Sequence, residues 1–131
     1  MEIGNLLNAR MASGQDLALE LPVIISIFKI APRAKQRPEV IEILKSIQGP
    51  VAAQPGCLSC DIYSEVGSGG SILFSEQWES EAALHDHVRS VLYLRLLSAA
   101  ELSSTAPEIR FHRVSDTQDM ELIRQLRLGG D

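Results

Sequence analysis

The sequence predicts an α+β sandwich, a four-stranded antiparallel sheet with helices on one face, and three observations predict it. The run ELPVIISIFKI at Glu20–Ile30 is β-branched and nearly continuous in apolar residues, as in a strand buried on both faces. Two alternating segments, Cys57–Glu65 and Ser71–Trp78, flank Gly67-Ser68-Gly69-Gly70 and read as a hairpin. Helical apolar spacing follows both the first strand and the hairpin, and a last strand completes the order β-α-β-β-α-β. That order is the ferredoxin-like one. A chain of 131 residues is enough for one domain with one core. The expected organisation is an N-terminal arm over 1–19, a ferredoxin-fold domain over 20–115, and a C-terminal helix and tail over 116–131.

The arm mixes small, polar and apolar residues without a sustained period, so it is expected to be mobile or to order only against a partner subunit. In the first strand Val23, Ile25 and Ile27 point one way, and Ile24, Ser26, Phe28 and Ile30 the other. Pro38 belongs in a first helical turn, and Val40 or Ile41, Leu44, Ile47 and Val51 form the buried stripe of the helix that follows. Gly49-Pro50 predicts a break or kink, because proline lacks an N–H and crowds the carbonyl four residues back. Pro55-Gly56 is a turn signal. Ser80 is a good N-cap for a helix whose stripe is Leu84, His87, Val88 and Val91. Val91–Leu102 carries leucines on more than one face, more than one sheet needs as cover. Ala106–Val114 is the last strand, and Asp116–Leu128 a helix capped by Asp116 or Thr117. Helices cover only one sheet face, yet the strands are apolar on both, so face-to-face pairing with a second copy is the expected solution.

A net charge of −5 with scattered basic residues argues against a nucleic-acid partner, which needs clustered Lys and Arg to neutralise phosphates. No stretch reaches the length of about 20 apolar residues that a membrane span needs. No basic region followed by an apolar one opens the chain, and two cysteines without an export signal fit reduced thiols in a cytoplasm.

The chemistry-bearing residues cluster after Pro55. Cys57-Leu58-Ser59-Cys60 has redox spacing, but it lies at the start of a strand rather than at a helix N-terminus. Residues three apart on a strand face opposite sides, so the expectation is packed thiols, with no metal site. His85 and His87 diverge by about 200° on a helix, which places His87 on the buried stripe and His85 toward solvent. A histidine on such a stripe is ordinarily a satisfied core residue; the sharper reading makes His87 a catalyst. Glu76 and Trp78 share a strand face, and a half-buried Glu76 needs a partner such as Arg110 or His112. Glu76 is then either a carboxylate that fixes the sheet or one that orients a substrate. His112 either approaches the same cavity or lies on the surface between two sheets.

PGCL at Pro55–Leu58, EQWES at Glu76–Ser80 and EAALHDHVRS at Glu81–Ser90 together resemble the antibiotic biosynthesis monooxygenase family of dimeric α+β barrels. Glu76, Trp78, His87 and Ser90 fall on that pattern, and the resemblance spans about Val23–Arg113. It implies cofactor-independent oxygenation of a small aromatic, phenolic or quinol-like compound. A phenol loses its proton and its anion gives an electron directly to dioxygen, in a dry pocket that supplies a base and hydrogen-bond donors. His87 would be the base, Phe28, Trp78 and Tyr93 pocket walls, and Ser26 would stand where active members often carry Asn. The implied cofactors are none, and the implied partner is a second copy. Departures narrow this. Many quinol-oxidising relatives follow the Ser or Thr with Pro-His, whereas Ser90 precedes Val91-Leu92 here. Haem-degrading relatives carry Trp at the position of His87, an iron-ligating His at that of Leu97 and Asn near Ser26, which argues against haem degradation. The competing expectation is a non-catalytic ligand-binding or dimerisation module of the same fold.

Overall fold

The structure, a computed structural model, describes residues 22–67 and 69–129; the N-terminal arm and Ser68 of the hairpin turn lie outside them. The elements are β1 (Val23–Ile30), α1 (Arg37–Ala52), β2 (Cys57–Ser64), β3 (Ile72–Trp78), α2 (Glu81–Val88), α3 (Val91–Ala100), β4 (Glu108–Val114) and α4 (Met120–Arg124), which runs into a π-helical turn at Gln125–Gly129. The strands form one antiparallel sheet in the order β2-β3-β1-β4, the ferredoxin-like arrangement that the sequence predicts.

Period-2 alternation sets the core. Ile24, Ser26, Phe28 and Ile30 of β1 stand opposite Trp78, Glu76, Phe74 and Ile72 of β3, and all eight are buried. Against them α1 packs Val40, Leu44, Ile47 and Val51, and α3 packs Tyr93, Leu96 and Ala99. Each large side chain so enclosed contributes about 1.5–3 kcal/mol relative to exposure.

Four expectations are corrected. The helix does not break at Gly49-Pro50 but continues to Ala52. Pro50 deprives only the Ser46 carbonyl of an N–H, one turn from the helix end, and fully buried Val51 anchors the chain beyond it. The second helix does divide: α2 ends at Val88, and Ser90 in an extended conformation re-aims α3. Val88 and Val91 therefore leave the predicted stripe and stand exposed, while Tyr93 and Leu96 turn inward. The C-terminal helix starts at Met120, later than expected, because Asp119 and not Asp116 or Thr117 caps it, accepting from the Glu121 N–H at 3.0 Å. Its apolar residues Met120, Ile123 and Leu126 find no core among the described residues and are exposed. Finally, the Cys57–Cys60 pair departs from simple alternation. A bulge between Cys57 and Ser59 puts Cys57 opposite Trp78 and Cys60 opposite Glu76, so both thiols share the inner face.

The helix-free face carries Val23, Ile25, Ile27, Leu73 and Tyr63, and β4 adds Arg110 and His112 to it. β4 is an edge strand, and on the helix side its Ile109 and Phe111 are only half covered.

Candidate functional site

Three elements converge on one buried polar cluster. β3 presents Glu76 and Trp78 inward from alternate positions, and the Trp78 indole N–H donates to Glu76 Oε1 at 2.9 Å. α2 begins directly after β3. Ser80 caps it by accepting from the Ala83 N–H at 3.1 Å, and two helical turns later His87 lies over the sheet. The His87 ring stacks on Trp78 with centroids 4.6 Å apart at 26°, and Tyr93 meets its edge at 5.2 Å and 84°. His87 Nε2 is 2.9 Å from Glu76 Oε2, and Nδ1 is 2.6 Å from Oε1 of Gln54, just beyond the end of α1. Neither the imidazole nor the carboxylate has any exposed surface.

Burial governs the acidities around the pair. Desolvation first, and then the Glu76 carboxylate, push the Cys57 thiol from 9.0 up to about 11 and the Tyr93 hydroxyl from 10.0 up to about 12. Cys60 is raised for the same two reasons in the same order. Both thiols are free and held as thiols, which suits packing and not nucleophilic or redox chemistry. Among the described residues, no group of three His, Cys, Asp or Glu side chains is placed to hold a metal ion.

Ser26 adds a different kind of group. It stands opposite Glu76 on one side and Phe111 on the other, fully buried, and its hydroxyl has no hydrogen-bond partner. Directly opposed side chains in a sheet have Cβ atoms about 4.5–5.5 Å apart, so the Ser26 hydroxyl is a near neighbour of the carboxylate. Beyond Phe111 lies a groove between α2 and β4. A cavity of about 440 Å³ there is lined by Glu81, Leu84, His85, Val88, Arg89 and Phe111. A second, of about 220 Å³, shares Glu81, Leu84 and Phe111 with it and reaches Ile24 and Arg113. Glu81 and Arg113 form an ion pair across this groove. The arrangement therefore sets an orphan hydroxyl beside a buried imidazole–carboxylate pair, with a groove of mixed polar and apolar lining on the far side of Phe111.

The family model described as antibiotic biosynthesis monooxygenase matches residues 23–98, more than half of the chain. The chain belongs to this family. The relative named putative monooxygenase Rv0793, from Mycobacterium tuberculosis, is 34% identical over 73 residues, which are 56% of this chain and 70% of that protein. Its solved structure superposes with a TM-score of 0.67 at 26% identity, over 74% of this chain and 99% of that one. A conserved protein of Methanosarcina mazei Go1 (TM-score 0.68, 20% identity, 76% and 99% covered) shares the fold. So does a Deinococcus radiodurans protein titled a putative antibiotic biosynthesis monooxygenase (0.66, 18%, 73% and 96%).

Within this family member, the expected residues divide. Glu76, Trp78, His87 and Tyr93 form the cluster, with Phe28 behind Tyr93 at 5.7 Å between ring centroids and Ser26 alongside. Arg110 and His112 do not partner Glu76: they stand opposite Ile27 and Ile25 on the helix-free face, and Arg110 pairs with Glu108 at 3.2 Å. Of the two placements open to His112, the sheet puts it on the outer surface. Glu76 is satisfied by Trp78 and His87 instead. Sequence reasoning missed Gln54, Phe111 and the Glu81–Arg113 pair. The signal for Gln54 is the Pro55-Gly56 turn, which must bring the chain back beside β3 and so carries the preceding residue over the site.

Proposed function

We propose that the protein is a cofactor-independent monooxygenase acting on a small phenolic or quinol-like aromatic compound that enters by the groove between α2 and β4. The observation that carries this reading is the buried, unpartnered Ser26 hydroxyl between Glu76 and the groove-lining Phe111. A buried hydroxyl without a partner costs about 1–3 kcal/mol, and a ligand hydroxyl would remove that cost. With the substrate hydroxyl on Ser26, the Glu76–His87 pair acts as one base. The phenolate then gives an electron to dioxygen; superoxide and the aryl radical join as a peroxide, and loss of water leaves a quinone. The buried Ile24 and Leu84, with half-covered Phe111, give the substrate's rings an apolar lining on that side.

A second reading has its own support. The imidazole and carboxylate have no exposed surface, which favours a structural pair in a ligand-binding or dimerisation module. Oxygen uptake by metal-free protein with a panel of dihydroquinones and polyphenols separates the two. Uptake above buffer is expected. Ser26→Ala is expected to lower it about tenfold, the worth of one hydrogen bond of about 1.4 kcal/mol, while leaving stability unchanged or higher. No uptake across the panel, or full uptake in both Ser26→Ala and His87→Ala, leaves only the second reading.

The same proposal takes a second copy of the chain as cover for the helix-free face, where Ile25, Ile27 and Leu73 are incompletely buried and Tyr63 is exposed. His112 then lies between the subunits. Sedimentation is expected to give a dimer at micromolar concentration, and a monomer would refute the pairing. The free thiols support a cytoplasmic setting. Among the described residues, no helix is long and apolar enough to cross a membrane.

A further inference from the structure

Gln54, just past the end of α1, is the second side-chain partner of the His87 ring. The backbone of this residue is held on both sides: its N–H donates to the Val51 carbonyl at 3.0 Å, and its carbonyl accepts from the Cys57 N–H at 3.1 Å. Two residues on, the Gly56 carbonyl accepts from the Glu79 N–H at 2.8 Å, which fastens the turn to the chain entering α2. The Gln54 side chain is thus delivered to His87 from a fixed base, and its Oε1 stands 2.6 Å from Nδ1.

An amide oxygen only accepts, so with Oε1 toward the ring, Nδ1 carries a hydrogen. The other ring nitrogen, Nε2, faces Glu76 Oε2 at 2.9 Å. Two lone pairs opposed at that distance in a dry site repel, so a proton lies between them, on nitrogen or on oxygen. Turning the amide through 180° would instead leave Nδ1 bare and place the only ring hydrogen on Nε2. The hydrogen on Nδ1 distinguishes the two arrangements.

We propose that Gln54 is a positioning residue that sets the tautomer of His87: its side-chain carbonyl holds a proton on Nδ1, so that the exchangeable proton of the site lies on the line between His87 Nε2 and Glu76 Oε2. This concerns the resting protein and stands whether or not the site oxidises phenols. The titratable groups around the pair are Tyr93 from α3, and Cys57 and Cys60 from β2; the two thiols and the phenol are all held protonated.

The test is a long-range proton–nitrogen correlation spectrum of the imidazoles in the whole, nitrogen-15-labelled chain. The chain has three histidines, and His85→Gln and His112→Gln identify the signals of the two exposed ones. The expected result is a His87 Nδ1 signal in the protonated range. Gln54→Met, of similar length but without an acceptor, is expected to move it to the lone-pair range. Gln54→Glu, which restores an acceptor, is expected to return it. A lone pair on Nδ1 in the unsubstituted protein overturns the proposal, as does a protonated Nδ1 that persists in Gln54→Met. Should Gln54→Met fail to fold, the unsubstituted spectrum decides by itself.

Discussion

Glu76→Leu is expected to lower the unfolding free energy by about 3–5 kcal/mol, the usual cost of removing one partner from a buried pair. The leucine fits the volume, so the loss is not one of packing. It arises because two groups lose their hydrogen-bond partner where water does not reach: the Trp78 indole N–H, now 2.9 Å from Oε1, and His87 Nε2, now 2.9 Å from Oε2. Trp78 is the only tryptophan, so its fluorescence reports unfolding from inside the affected cluster. With a urea slope of about 1–3 kcal/mol per molar, the midpoint should fall by roughly 2 M. The double variant Glu76→Leu/His87→Leu should recover much of the loss, since a buried pair replaced by apolar residues is often neutral. A single-variant loss under about 1 kcal/mol, or a double variant that simply adds the two costs, would show that the pair is not one desolvated unit.

The pair also shows which parts of a site a sequence displays. Glu76 and Trp78 were visible because strand alternation is local, and His87 because the helical stripe counts from a clear cap at Ser80. Their meeting follows from β3 running straight into α2. Gln54 was invisible because it lies 33 residues from His87, and its contact depends on where α1 stops. Neither Pro50 nor Gly49 marks that end: helix propensity predicted a break there, and burial of Val51 overrode it. Simple alternation puts the two thiols on opposite faces, and the bulge at Leu58 that brings them together leaves no mark in the apolar pattern. His112 was ambiguous because the side it faces is set by the pairing of β4 with β1, which a single strand's sequence does not reveal. The division of α2 from α3 at Ser90 is a turn between two good helix formers, and only the inward stripe of Tyr93 and Leu96 discloses it afterwards. Periods and caps were thus legible, and register and helix ends were not.

Gly56→Ala tests the joint on which the Gln54 contact depends, and it is expected to cost about 2–5 kcal/mol. Two terms add. Gly56 has φ +84°, a left-handed conformation that costs an L residue about 1–2 kcal/mol. A Cβ there would also stand 2.4 Å from the Ala83 Cβ and 3.4 Å from Glu79 Cγ, an overlap worth about 1–3 kcal/mol. Ala83 sits in the first turn of α2, so relief requires α2 to move away from the turn, carrying His87 away from Gln54. Gly67→Ala is the internal control. Its φ of +121° is also left-handed, but no described atom lies within 4 Å of the added carbon, so only the backbone term applies. The two terms separate in an Ala83→Gly background, where the overlap vanishes and Gly56→Ala should cost only about 1–2 kcal/mol. Chemical denaturation of the four proteins of that cycle measures the difference. Equal costs in both backgrounds would show that the turn does not bear on α2, and that the close approach of Gln54 to His87 has some other cause.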